Sequence, residues 1–338
     1  MNAASTQCRF FQQVKNQLPA HKALVDEVAD LLGISNDSAY RRIRGDKPID
    51  LDELQKLSTH FQVSLDQLLN LPSDALLFTG KPVPHLTSTL EGWLTHLLAQ
   101  LQLMASFAER HVNFLVKDIP PFYHFQLPEL AEFKFFFWQK SILHYDALKG
   151  ARFQFGNPGY QEAHALSQQI VALYQRLPTT EIWNVESLNS TLRQIDFYRE
   201  AGFFETPDVA HTLYQKVGEL IDGIEGQAEL GLKCVVHQPP VPNAASYRLF
   251  VNEFILGDNT FLAELGGMRL TYLNHSVLHF VGTRDETFND FMFANLQNLL
   301  KKSTLISGVS EKERNRFFNS LRQSIHQRLH DSRPAIQG

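Results

Sequence analysis

Arg41, Arg42, Arg44 and Lys47 place four cationic side chains within seven residues, although the chain as a whole carries a net charge of −5. Asn36, Asp37, Ser38 and Tyr40 come just before them. A guanidinium group donates through a planar fork that fits guanine O6 and N7 or a phosphate, and an asparagine amide fits the edge of adenine. The chemistry open to this cluster is hydrogen-bond reading and anion binding, not bond breaking. It needs a helix anchored on one face with the polar face held out to a partner.

The flanking sequence supplies such a helix. Ser35 is placed to cap it, since a serine hydroxyl accepts from the first free backbone N–H groups. Gly45 is placed to end it, since glycine takes the left-handed conformation without steric cost. Ala39 and Ile43 stand one turn apart and define the buried face. About 180° away lie Asp37 and Arg41, with Ser38 and Arg44 on either side. Tyr40 and Arg42 flank the buried stripe, and Asn36 is at the tip. Upstream, Thr6–Leu18 and Ala23–Leu32 read as helices, with Gly33 stopping the second. Downstream, Asp50 with Glu53 and Ser64 with Gln67 form capping-box patterns before two further apolar runs. Residues 1–71 therefore read as a five-helix domain.

The segment "DEVADLLGISNDSAYRRIRGDKPIDLDELQKLSTHFQVSLDQLL" resembles the helix-turn-helix domain of phage-repressor-type (Xre/Cro) regulators. Ala29 and Gly33 match the small residue and the turn glycine. Ile34 and Ala39 match the inward positions, and Gly45 matches the glycine ending the recognition helix. Arg42 departs from the pattern, because that family has an apolar residue there. The resemblance implies a recognition helix in the major groove, its N-terminal residues at base edges. Asn36, Ser38 and Arg41 would then read bases, and Arg42, Arg44 and Lys47 would hold phosphates. Tyr40 could do either. Asp37 could accept from a cytosine amino group or only stabilise the positive helix start. Residues 1–70 hold eight Lys/Arg and nine Asp/Glu, so the positive charge is clustered, not abundant.

The remaining sequence predicts a mainly α chain. Residues 72–87, rich in proline, read as a linker, and residues 88–232 as a helical region. Residues 233–338 read as an α+β regulatory and dimerisation region with a small antiparallel sheet. Its strands would be "YRLFVNEFIL", "FLAEL" and "MRLTYLNHSVLHFVG", with turns at 257–259 and 266–267. Two helices follow, the second opened by a capping box of Ser310 and Glu313.

Several function classes are disfavoured. Cys8 and Cys234 make neither a metal spacing nor a disulfide framework, which fits a reducing cytosol. No leader and no membrane-length apolar run is present. There is no GxSxG, Walker or HExxH sequence, so no enzyme activity, cofactor or metal is expected. The pairs His326/His330 and His275/His279 read as a solvated face and as packing on a strand. Glu253 and Glu264, near Arg248 and Arg269, read as structural ion pairs. "FKFFFW" at 133–138 reads as core or dimer interface. The expectation is a cytoplasmic transcription regulator that binds double-stranded DNA at a palindromic operator as a homodimer, under a small-molecule or protein effector. The alternatives are an interaction scaffold whose helix-turn-helix does not bind DNA, and an enzyme carrying a DNA-binding module.

Overall fold

Residues 3–18, 22–61, 63, 65, 68, 76–78, 80, 89–254 and 257–332 are described by the computed structural model. The chain divides into two units, Met1–Leu77 and Phe78–Gly338.

In the first unit α1 (Ala3–Gln17), α2 (Leu24–Leu32), α3 (Asn36–Arg44) and α4 (Leu51–Phe61) enclose a small core. Phe10, Phe11 and Val14 of α1 pack with Val28, Ala29, Ala39 and Leu57, all buried. Gly33 ends α2 at φ 63°, and its turn bonds Ile34 N to Ala29 O at 3.0 Å. The Asp50–Glu53 box is formed: Glu53 N donates to Asp50 Oδ1 at 2.8 Å and Asp50 N to Glu53 Oε2 at 3.4 Å. Most of the expected fifth helix and most of residues 72–87 lie outside the described residues.

The second unit corrects the expected fold class. Its sheet is not small or purely antiparallel. It has seven strands in the order β6-β5-β4-β1-β2-β3-β7. Three adjacent strands, β1 (Arg110–Val116), β2 (Thr179–Trp183) and β3 (Tyr247–Val251), run parallel. On one side β4 (Thr260–Leu265), β5 (Met268–Asn274) and β6 (Phe280–Thr283) continue antiparallel, and on the other β7 (Thr304–Leu305) closes the edge. β1 and β2 come from the stretch read as helical. The connection from β1 to β2 carries α6 (Pro128–Phe137) and α7 (Gln161–Tyr174), and that from β2 to β3 carries α8 (Asn189–Glu200) and α9 (Asp208–Leu230). Parallel neighbours require such crossovers.

Helices cover both faces. Adjacent strand residues point to opposite sides. Trp183 and Leu249 join the large core with α5 (Leu90–Ser106), α7, α9 and α11 (Glu311–Asp331). Ile182, Phe250 and Leu262 instead meet Phe293 and Leu296 of α10 (Glu286–Lys301). Phe133, Phe135, Phe136 and Trp138 are buried, so "FKFFFW" is core. Burying rings of this size contributes about 2–3 kcal/mol each. Gly266 and Gly267, at φ 55° and 84°, form the β4–β5 hairpin turn, where both central residues need positive φ. Residues 257–259 do not join paired strands, because β3 and β4 are not neighbours. Ser310 is not a cap: it is left-handed at φ 56° and its hydroxyl accepts no capping bond.

A buried ion pair ties β2 to its surroundings. Glu181 and Lys233 both have fully buried side chains, with Nζ 3.1 Å from Oε1. Tyr123 Oη donates to Glu181 at 2.8 Å, Trp183 Nε1 at 2.9 Å, and Tyr174 also donates to it. The Lys233 ammonium lies 3.8 Å from the Tyr174 ring centre and 4.6 Å from that of Tyr247. Burial pulls it down to about 8, against the opposing pull of Glu181.

Candidate nucleic-acid interface

The N-terminus of α3 is built as its residues require. Ser35 is extended, and its Oγ accepts from Ser38 N at 3.3 Å. Gly45 closes the helix at φ 83°. The rotation of α3 differs from the reading of Ala39 and Ile43 alone. Ala39 is fully buried and Ile43 packs against the same core, but Arg42 is also inside, at 5% exposure. Its Nε donates to Glu53 Oε2 at 2.9 Å and its Nη2 to Oε1 at 2.6 Å. Nη1 donates to Ser38 O at 3.2 Å. The mutual bond raises the Arg42 guanidinium above its ordinary value and holds the Glu53 carboxyl below its own. Arg42 is therefore not available as a phosphate contact. Its charge is matched by α4, and it occupies the inward position as a paired ion where an apolar residue was expected.

This shift turns Tyr40 outward. Asp37, Tyr40, Arg41 and Arg44 are all exposed. Their spacing of three, four and seven residues puts them on one arc of about 100°. Arg44 rests 5.6 Å from the centre of the Tyr40 ring, which is itself half exposed. Asn36 is exposed at the tip, with its Nδ2 donating to Asp26 Oδ1 at 2.9 Å. Ser38 lies at the margin, half buried. Lys47 is exposed in the turn that follows. The structure thus gathers Asp37, Tyr40, Arg41 and Arg44 into one outward stripe, with Asn36 and Lys47 near its ends, and leaves Arg42 out of it.

Gln7 was not legible as part of this site. Its Nε2 donates to Arg42 O at 2.7 Å and Lys47 O at 2.8 Å, and its Oε1 accepts from Ile49 N at 3.1 Å. Cys8 Sγ reaches Arg44 O at 3.4 Å. The Arg42 carbonyl also accepts from Gly45 N at 3.0 Å, so Gln7 adds a second bond to it and supplies a partner to the Lys47 carbonyl in the turn beyond α3. These bonds fix the turn bearing Lys47 from a helix some forty residues earlier, so no local pattern could announce them.

The remaining constellations do not converge on chemistry. His326 and His330 are exposed on α11. His275 and His279 sit in the β5–β6 turn, not on a strand, with rings stacked at 6.0 Å. Arg269 lies opposite Glu264 in register but pairs with Asp290 at 2.9 Å. No group of three or more His, Cys, Asp or Glu able to hold a metal occurs among the described residues. Among them, too, no helix is long and apolar enough to cross a membrane.

Residues 7–110 match the BetR domain, a domain associated with helix-turn-helix transcription regulators. The match takes in most of α1, all of α2 to α5, and ends on the first residue of β1. Comparison with curated proteins and with solved structures finds no match. In its first third, then, the chain is similar to a domain associated with DNA-reading regulators.

Proposed function

We propose that the chain is a sequence-specific, DNA-binding transcription regulator. Its N-terminal unit sets α3 in the major groove, in the manner of phage-repressor-type readers. The observation that carries this is the outward stripe of α3, pinned from behind by Ala39 and by Arg42 bound to Glu53. Arg41 and Asn36 face base edges in this reading, Arg44 and Lys47 hold phosphates, and Tyr40 supports Arg44. Arg42 positions the helix. Readers of this type bind as two-fold dimers on half-sites about 34 Å apart, so we assign a homodimer and a palindromic operator. We assign residues 78–338 to dimerisation and effector sensing in the cytoplasm, and no catalytic step to any part.

Selection of duplexes from a random pool tests this. One enriched palindrome, with affinity falling steeply as salt rises, is expected. Arg41→Ala should weaken binding by about 1–3 kcal/mol and relax the preference at one base pair. Equal retention of all duplexes, or none, would refute the assignment and favour a scaffold.

A further inference from the structure

The parallel strands β1 and β2 end side by side at Val116 and Trp183, and the other neighbour of β1, β4, runs antiparallel. The carboxyl ends of parallel strands, where a sheet changes its order, are where α/β folds hold small ligands. Two adjoining hollows of about 500 and 350 Å³ lie here, sharing Asp118, Phe137, Ser190 and Gln194. That volume suits a small organic molecule. Trp93, Trp138, Phe261 and Phe280 wall the inner hollow.

Lys134 lines the same hollow and is 5% exposed. Its Nζ donates to Thr191 Oγ1 at 2.9 Å and Gln194 Oε1 at 2.7 Å, both neutral acceptors. Among the described residues no carboxylate stands within ion-pair distance of it. The contrast with Lys233 is direct, because that buried lysine has Glu181 at 3.1 Å. Asp118, half buried on the shared wall, acts on Lys134 only from farther away, and burial draws the lysine down to about 7. A buried ammonium without a counter-ion is unfavourable, and an anion arriving from solvent would relieve it. Lys117 and Arg193 are exposed cations at the outer hollow, Lys117 paired with Asp258 at 2.6 Å, and the exposed carboxylate of Glu186 lines it as well.

We propose that this cavity binds a small monocarboxylate carrying an aromatic or branched apolar group. The carboxylate accepts from Lys134, and the apolar group rests on the tryptophan and phenylalanine rings. As an effector site the cavity rests on the regulatory reading above. As a binding site it does not, so binding is measured on the full chain without DNA.

Calorimetric titration with phenylacetate, 3-phenylpropionate and 4-methylpentanoate, each beside its uncharged amide, tests the proposal. At least one carboxylate should saturate a single site with a Kd of about 1 mM or below, and its amide should bind about tenfold more weakly or worse. Lys134→Met should abolish that preference. Titrated at about pH 6, where Lys134 carries its proton, Asp118→Asn, at a half-exposed position, should fold normally and tighten the carboxylate roughly threefold or more by removing a like charge. Absence of saturable binding by all three acids, equal binding of acid and amide, or weaker binding by Asp118→Asn would overturn it.

Discussion

Glu53→Ala removes the carboxylate that holds Arg42 behind the outward stripe of α3. The two side chains are only 6% and 17% exposed, and the fork closes through bonds of 2.9 and 2.6 Å. Stranding one partner of a buried pair costs about 3–5 kcal/mol. Here the pair lies near the rim of a small unit, and a freed guanidinium can reach water after a modest shift. About 2–3 kcal/mol is therefore expected, at or just below the lower bound of that range. For a unit of this size the melting temperature should fall by roughly 10–20 °C. Hydrogen exchange at the α3 amides reads the unit directly and should accelerate. On the proposed function, DNA affinity should fall about evenly for all sequences, because the helix loses its seat and not a base contact. The sign with pH is also set. Arg42 holds the Glu53 carboxyl below its ordinary value, so the stabilisation is complete above the unfolded carboxyl range. It is lost as pH falls through the folded value, and the variant should lack that acid-side loss. The double change Arg42→Met with Glu53→Leu should recover most of the stability, since apolar replacement leaves no stranded charge. Unchanged exchange at α3 in Glu53→Ala would refute the claim that this pair sets the rotation of the helix.

Gln7→Ala should cost about 1–3 kcal/mol, because it leaves the Lys47 carbonyl and the Ile49 N–H without their partner, while the Arg42 carbonyl keeps Gly45 N. Faster exchange confined to residues 45–50 would report it. Gly33→Ala meets no atom within 4 Å, so its cost is that of the left-handed backbone alone, about 1 kcal/mol or somewhat more. Gly33→Asn should cost less, as chemical denaturation would measure. Lys134 is held near 7 when folded and titrates near its ordinary value when unfolded, so the unfolded chain binds the extra proton above about pH 7. Urea unfolding should show this lysine adding stability as pH rises from 7 towards 10, at up to about 1.4 kcal/mol per pH unit. Lys134→Met should remove that contribution and leave the smaller one that Lys233 makes above about 8.

The bounds of α3 were legible because their signals are local. Ser35, Gly33, Gly45, Asp50 and Glu53 act within four residues of themselves, through caps and left-handed glycines. The role of Arg42 was not legible, since it depends on a carboxylate eleven residues on and in another helix. β1 and β2 escaped notice for a different reason. Parallel strands buried on both faces do not alternate, and every residue of β2 is buried. Its charged member, Glu181, is tolerated because Lys233 and a set of tyrosines reach it from elsewhere in the chain. In isolation "TTEIW" gives no apolar run to recognise.

The sequence by itself determined where α2 and α3 end and which residue types α3 carries, because capping and glycine chemistry are settled over a few residues. Only the tertiary structure decided which of its arginines faces outward, how seven strands from distant segments form one mixed sheet, and that a lone lysine ends beside a cavity. Those outcomes depend on partners far along the chain, whose burial and charge no short stretch encodes.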